Sequence, residues 1–223
     1  MSRKVLEDFY YSRGKYYDSN IYIFINEENK VLLIDPGSGD FHNHPEHVLW
    51  NLGLTTKDVE YIVLTHKHYN HFAAASKFKN AKIIAHELDA NPIESCDETT
   101  KYNLFGKVTK PCKVDIKISN EYKLIFGKFE FTIFHTPGHT KGSICIFENN
   151  YKFLFTGDTL FSNGNISRTD CIEDKESYKS TLTKLLSIDA KIIFPGHGEP
   201  EDFQIVKNLA KRKIEIYNKL GIL

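Results

Sequence analysis

The chain has 223 residues, of which 41% are hydrophobic and 26% charged. That is the make-up of an ordinary globular domain, and it excludes disordered and fibrous chains. Lys+Arg and Asp+Glu number 29 each, for a formal net charge of zero, a balance that argues against nucleic acid or a membrane surface as partner. No apolar run reaches the roughly 18 residues a transmembrane helix needs, and the opening MSRKVLEDFYYSRGKYY is too charged and aromatic for a signal peptide. Cys96, Cys112, Cys145 and Cys171 form no C-x-x-C pair. Neither a structural zinc site nor a disulfide framework is expected, and a reduced cytoplasmic setting is the default.

In chain order, Ile21–Ile25 and Val31–Ile34 read as a strand pair joined by the turn-like NEENK, and Asp35-Pro36-Gly37 ends the second run. His44-Pro45-Glu46 opens a helix to about Asn51, with Pro45 in its first turn. Tyr61–Leu64 is a buried-strand candidate, His71–Phe78 an Ala-rich helix, and Lys82–Ala85 the next strand. Residues 87–111 are polar and ambiguous. Five short strands follow, at Val114–Ile118, Tyr122–Phe126, Phe129–Phe134, Ser143–Phe147 and Lys152–Thr156, with Gly127, Gly142 and Asn149-Asn150 at the turns. Ser177–Leu186 has helical spacing, Lys191–Phe194 is a last strand, and Glu201–Lys219 is an amphipathic helix. With no linker visible, residues 1–223 read as one domain with two sheets and outer helices.

The chemistry-bearing residues stand where strands end. TH66-K-H68-Y-N70-H71 follows YIVL; TPG-His139-T follows FTIF; Gly157-Asp158-Thr159 follows KFLF; and Pro195-Gly196-His197-Gly198 follows KIIF. Loops at the ends of a rigid sheet are the usual seat of such groups. In His66-x-His68 both imidazoles can converge on one ion, and His71, at the start of the next helix, can face a neighbouring one. A lone histidine is more often a satisfied surface or core residue, but four independent strand ends delivering ligand-type side chains point to a metal centre.

These four motifs, in this order and spanning most of the chain, resemble the metallo-β-lactamase superfamily. The resemblance implies an α/β fold, a four-layer αββα sandwich of two mixed sheets with outer helices. It implies one metal held by His66, His68 and His139, a second by residue 70, His71 and His197, and Asp158 bridging them. The bridging position is Asp rather than Cys, so the chain looks less like an antibiotic-hydrolysing enzyme. Gly157-Asp158-Thr159-Leu160-Phe161 with Arg168-Thr169-Asp170 is similar to the glyoxalase II and persulfide dioxygenase branch. The expected activity is hydrolysis of a small ester or thioester by a metal-bound hydroxide, with Asp158 and residue 70 as catalytic residues. Zinc is the expected cofactor, one or two ions per chain, with iron the alternative. The rival readings are a mononuclear iron persulfide dioxygenase and a low-activity or inactive metal-binding relative.

The family motif H-x-H-x-D-H is broken here, because Asn70 occupies the aspartate position. An amide oxygen brings no negative charge, so the second metal should bind more weakly and water activation should suffer. Activity is therefore expected to be low beside that of an Asn70→Asp variant. The added helical domain of glutathione-binding glyoxalases is not apparent after His197. A small-molecule substrate is expected, with Arg168 and Lys141, and also Lys67, as candidates to contact an anionic group. Oligomeric state is not readable. His42, His44 and His47 imitate a metal motif, but Pro45 interrupts it, and a loop or helix-cap role is expected. His86 and His135 read as structural, Cys145 as core, and Cys171 as lying near the site opening.

Overall fold

The computed structural model describes residues 2–39, 43–105 and 108–221, with Thr169 described for its backbone alone. His42 lies outside the described residues. Two compact units emerge, residues 1–119 with 126–128 and residues 120–125 with 129–223.

The first unit is built on a seven-stranded sheet whose strands follow one another in chain order. Its strands are β1 (Arg3–Leu6), β2 (Phe9–Ser12), β3 (Ile21–Ile25), β4 (Val31–Ile34), β5 (Val59–Val63), β6 (Lys82–His86) and β7 (Ile116–Ile118). The first four pair antiparallel through short turns, and β4 to β7 run parallel. Every residue of β4 is buried, which suits a VLLI run covered on both faces. One sheet face packs Ile21, Ile23, Leu33 and Ile62 against Leu49 of helix α1 (Pro45–Trp50), Tyr69 and Phe72 of α2 (Tyr69–Phe72), and Ile93 of α3 (Glu87–Ser95).

The second unit carries β8 (Tyr122–Phe126), whose last residue belongs to the first unit, then β9 (Phe129–His135), β10 (Ile144–Glu148), β11 (Phe153–Gly157), β12 (Ile192–Pro195) and β13 (Glu201–Asp202). Their order in the sheet is β13-β12-β11-β10-β9-β8, with β13–β12, β11–β10 and β10–β9 antiparallel and β11–β12 parallel. Phe134, Cys145, Leu154 and Ile193 pack on Tyr178, Leu182 and Leu185 of α4 (Lys175–Leu185) and on Phe203, Val206 and Ala210 of α5 (Phe203–Lys219). Cys145 is fully buried, as expected of a core residue, and burial pushes its thiol up to about 12.

Three local features depart from the sequence reading. Residues 3–12 form the hairpin β1–β2, which their charged and aromatic composition does not advertise. The polar stretch after β6 holds α3, whose first turn is capped by His86 accepting from the Leu88 N–H. The helix expected over 71–78 is a single α-turn, α2, followed by a 3₁₀ segment Ala73–Lys77. The cause is competition for backbone groups. The Asn70 carbonyl, which a continuing α-helix would give to Ala74, accepts from the Ser19 N–H at 3.3 Å, and the Ala74 N–H turns to the Gly37 carbonyl at 2.9 Å.

The longest helix has one clear start signal. Asp202 Oδ1 accepts from the N–H groups of Gln204 and Ile205 at 2.9 and 3.1 Å. Asp202→Ala should therefore lower stability by about 1 kcal/mol. Thermal unfolding checks this, and an unchanged midpoint would show that α5 is held by its packing alone.

Candidate metal centre

In the first unit the site grows from Asp35, the buried residue that follows β4. One carboxylate oxygen accepts from the Thr65 N–H at 2.8 Å, and the other accepts from the Thr65 hydroxyl at 2.6 Å and from His71 Nδ1 at 2.8 Å. Thr65 Oγ1 also lies 3.0 Å from His66 Nδ1. A hydroxyl has one proton, and Thr65 gives it to Asp35, so His66 Nδ1 must be the donor in that contact. His66 Nε2 is thereby left with its lone pair. By the same reasoning the Asp35 carboxylate takes the Nδ1 proton of His71 and leaves His71 Nε2 as a lone-pair nitrogen. Imidazoles oriented through their other nitrogen in this way are what metal ligation requires. His66 Nε2 and His68 Nδ1 stand 3.0 Å apart, and the rings of His66 and His71 have centroids 4.1 Å apart. Asp89 on α3 fixes the backbone between the first two histidines by accepting from the Lys67 N–H at 2.9 Å.

The second unit repeats the device with different residues. Ser167 donates its hydroxyl proton to the Asp158 carbonyl, and its oxygen lies 2.9 Å from His139 Nδ1. With that proton spent, His139 Nδ1 is the donor and Nε2 carries the lone pair. The Ser167 N–H is held at 2.8 Å by the hydroxyl of buried Tyr178, which in turn donates to the Thr159 carbonyl at 2.5 Å. Burial raises the Tyr178 phenol above its ordinary value. Asp158 Oδ2 sits 3.8 Å from His139 Nε2 and 3.5 Å from His197 Nε2. A tetrahedral ion with bonds of about 2.0–2.1 Å places its ligands about 3.3 Å apart. The separation in the first unit lies just below that value and the two in the second lie just above it, and the Nε2 atoms of His66, His71 and His139 are of the type a cation accepts. The His and Asp donor set therefore fits a divalent metal.

Asn70 departs from a simple weakened ligand. Its side-chain N–H donates to the Tyr17 carbonyl at 2.8 Å, a bond that an ionised aspartate cannot make. Arg168 forms a two-point, exposed ion pair with Asp170, at 2.7 and 3.1 Å. The backbone N–H of Lys141 is held by Glu173 at 3.0 Å. His86 and His135 bond the Ser119 and Lys141 carbonyls at 3.2 and 2.8 Å, as structural histidines do. His44 and His47 meet edge to face at the start of α1, with ring centroids 5.2 Å apart. Reasoning from sequence passed over Asp35, Thr65, Ser167 and Tyr178 as site residues. For Asp35 the signal was present, a carboxylate at a strand end before Pro-Gly, but for the other three nothing local marks them.

Fold and donor sets together define a metal-dependent hydrolase in general terms. The chain belongs to the metallo-beta-lactamase superfamily, whose family model matches residues 15–197, and it has that family's fold. It is 33% identical over 198 residues to a probable metallo-hydrolase of Methanocaldococcus jannaschii, covering 85% of this chain and 92% of the other. It is 31% identical over 191 residues to a hydroxyacylglutathione hydrolase of Haemophilus influenzae, covering 82% and 86%. Among solved structures, the B3 metallo-beta-lactamase BLEG-1 superposes with a TM-score of 0.75 at 26% identity, covering 90% of this chain and 96% of that one. No helix among the described residues is long and apolar enough to cross a membrane.

Ser167→Ala removes the acceptor that fixes the His139 ring, and metal affinity should fall about 10- to 100-fold, as read by competition with a chromophoric chelator. Wild-type affinity in that variant would show that the ring is oriented by something else. Gly138→Ala should be worse for folding. Gly138 has φ +139°, and a Cβ there would lie 2.7 Å from the Tyr178 Cα. Soluble yield and thermal midpoint should both drop, and a normally stable Ala variant would contradict the clash.

Proposed function

We propose that this protein hydrolyses a small ester or thioester, in the manner of the hydroxyacylglutathione hydrolases among its relatives. In this reading His66, His68 and His139 hold one divalent cation, Asp158 is shared with a second position, and His71, His197 and Asn70 belong to that second position. The carrying observation is the proton arithmetic at three histidines: Asp35, Thr65 and Ser167 commit Nδ1 of His66, His71 and His139 to donation and leave each Nε2 as a ligand nitrogen. The likeness to the Haemophilus influenzae enzyme supports the bond type.

When bound, a divalent cation supplies an acidified water and a Lewis acid for the carbonyl oxygen. The chain's own groups do the rest. Among the described residues Asp158 is the one carboxylate of the proposed donor set, so it would be the group to hold the attacking water and take its proton. Asn70 contributes no charge to balance a second dication, and zinc is expected at one ion per chain. Arg168 and Lys141 are the cationic candidates for a substrate's anionic end.

Chelator-treated protein should lose hydrolysis of an acyl thioester panel, and one equivalent of zinc should restore it. His139→Ala should lower the rate at least about a hundredfold, with elemental analysis showing loss of the ion. Undiminished hydrolysis by metal-free protein would sink the reading. Oxygen uptake with a persulfide by the iron-loaded protein, without thioester hydrolysis, would favour the dioxygenase instead.

A further inference from the structure

The crossover from β5 to β6 begins at the metal motif and ends at a cavity of about 490 Å³. The motif leaves the C-terminal end of β5, whereas Lys82 and Ile83 open its parallel neighbour β6. A five-residue strand, about 16 Å long, therefore lies between the two. The cavity floor is apolar: Ala75, Phe78, Ala81, Ile83 and Cys112 all line it, and all are buried. Burial pushes the Cys112 thiol up to about 12, so the floor carries no charge at neutral pH.

The rim is cationic. Lys79, Lys82 and Lys113 line it beside the Asp115 carboxylate, in a chain whose formal net charge is zero. That carboxylate is already engaged. Its Oδ1 accepts from the Lys113 ammonium at 2.7 Å and its Oδ2 from the Ile83 N–H at 3.1 Å. Glu94, in the hollow that adjoins across Pro111, Cys112 and Lys113, accepts from the Lys117 ammonium at 2.8 Å. Lys79 and Lys82 are exposed, and among the described residues their ammonium groups make no hydrogen bond or salt bridge. Two unanswered ammonium groups above an apolar floor ask for a ligand that is dianionic at one end and apolar at the other. The volume lies within the range of small-molecule sites and far exceeds what an inorganic ion needs.

We infer that this cavity is a second ligand site, which binds a small organic phosphate with its dianionic phosphoryl group held by Lys79 and Lys82 and its apolar body on Phe78, Ala81 and Cys112. A carboxylate would leave one ammonium unanswered, and inorganic phosphate would leave the floor to water. The site lies at the end of the sheet away from His66, His68 and His71, so its ligand does not compete for the cation. It stands whatever bond the metal centre cleaves.

The test uses 1-naphthylmethylphosphonate, a dianion at mildly alkaline pH with no hydrolysable ester bond, titrated calorimetrically into the zinc-loaded full chain. It should bind at least about tenfold more tightly than either of its halves, 1-naphthylmethanol and inorganic phosphate. Lys79→Gln/Lys82→Gln should weaken binding about tenfold, with thermal midpoint and zinc content unchanged, and Lys79→Arg/Lys82→Arg should keep most of the affinity. Chelator-treated protein should bind the phosphonate as tightly as zinc-loaded protein. Amide chemical shifts should move at residues 79–83 and 111–115 rather than at 65–71. Binding no tighter than that of either half, an undiminished affinity in the glutamine variant, or an affinity that disappears with the zinc would each overturn the inference.

Discussion

Three groups, the Asp35 carboxylate and the Thr65 and Ser167 hydroxyls, decide which nitrogen of His66, His71 and His139 is available, and the metal chemistry proposed for this protein depends on that choice. Thr65 and Ser167 each have one proton, and each gives it to an oxygen, Asp35 Oδ2 and the Asp158 carbonyl respectively. Their oxygens can then only accept from a histidine. Asp35 treats His71 in the same way, from the same carboxylate that anchors Thr65. One buried acid thus sets the orientation of two imidazoles, His66 and His71, that are five positions apart in the sequence. The cost of burying such a carboxylate is offset by three hydrogen bonds, from the Thr65 N–H, the Thr65 hydroxyl and His71 Nδ1–H.

The same economy of backbone groups shapes the segment that carries the histidines. Were α2 to run on as a regular helix, the Asn70 and Gly37 carbonyls would have other partners and the loops at Ser19 and Gly37 would lose their anchors. The helix stops after one turn because these long-range bonds outcompete the local ladder. Asn70 takes part twice, through its carbonyl to Ser19 and through its amide to the Tyr17 carbonyl. Its chemistry is therefore tied to the ordering of residues 13–20 as much as to any cation.

Much of this was legible in the residue order. The strands β3, β4, β9 and β12 and the helix α5 were readable to within a residue or two, because their apolar patterns are strong and their ends carry Asp-Pro-Gly, Gly127, Pro195-Gly196 and an N-capping Asp202. The histidine motifs at strand ends were legible because metal ligation demands a narrow set of side chains. The hairpin of residues 3–12 and helix α3 were not, since their sequences are polar or mixed and they are held by packing onto the sheet and by caps such as His86.

The superfamily was determined by sequence alone, because few side chains bind a divalent cation and the spacing of its His and Asp motifs is conspicuous. Which nitrogen each histidine offers was decided only by the tertiary structure. So was the role of Asn70 as a donor to a distant carbonyl. Both depend on partners brought close by the fold from remote positions, Asp35 to His71, Ser167 to His139 and Tyr17 to Asn70, and hydrogen bonding is a matter of geometry that no local pattern of residues encodes.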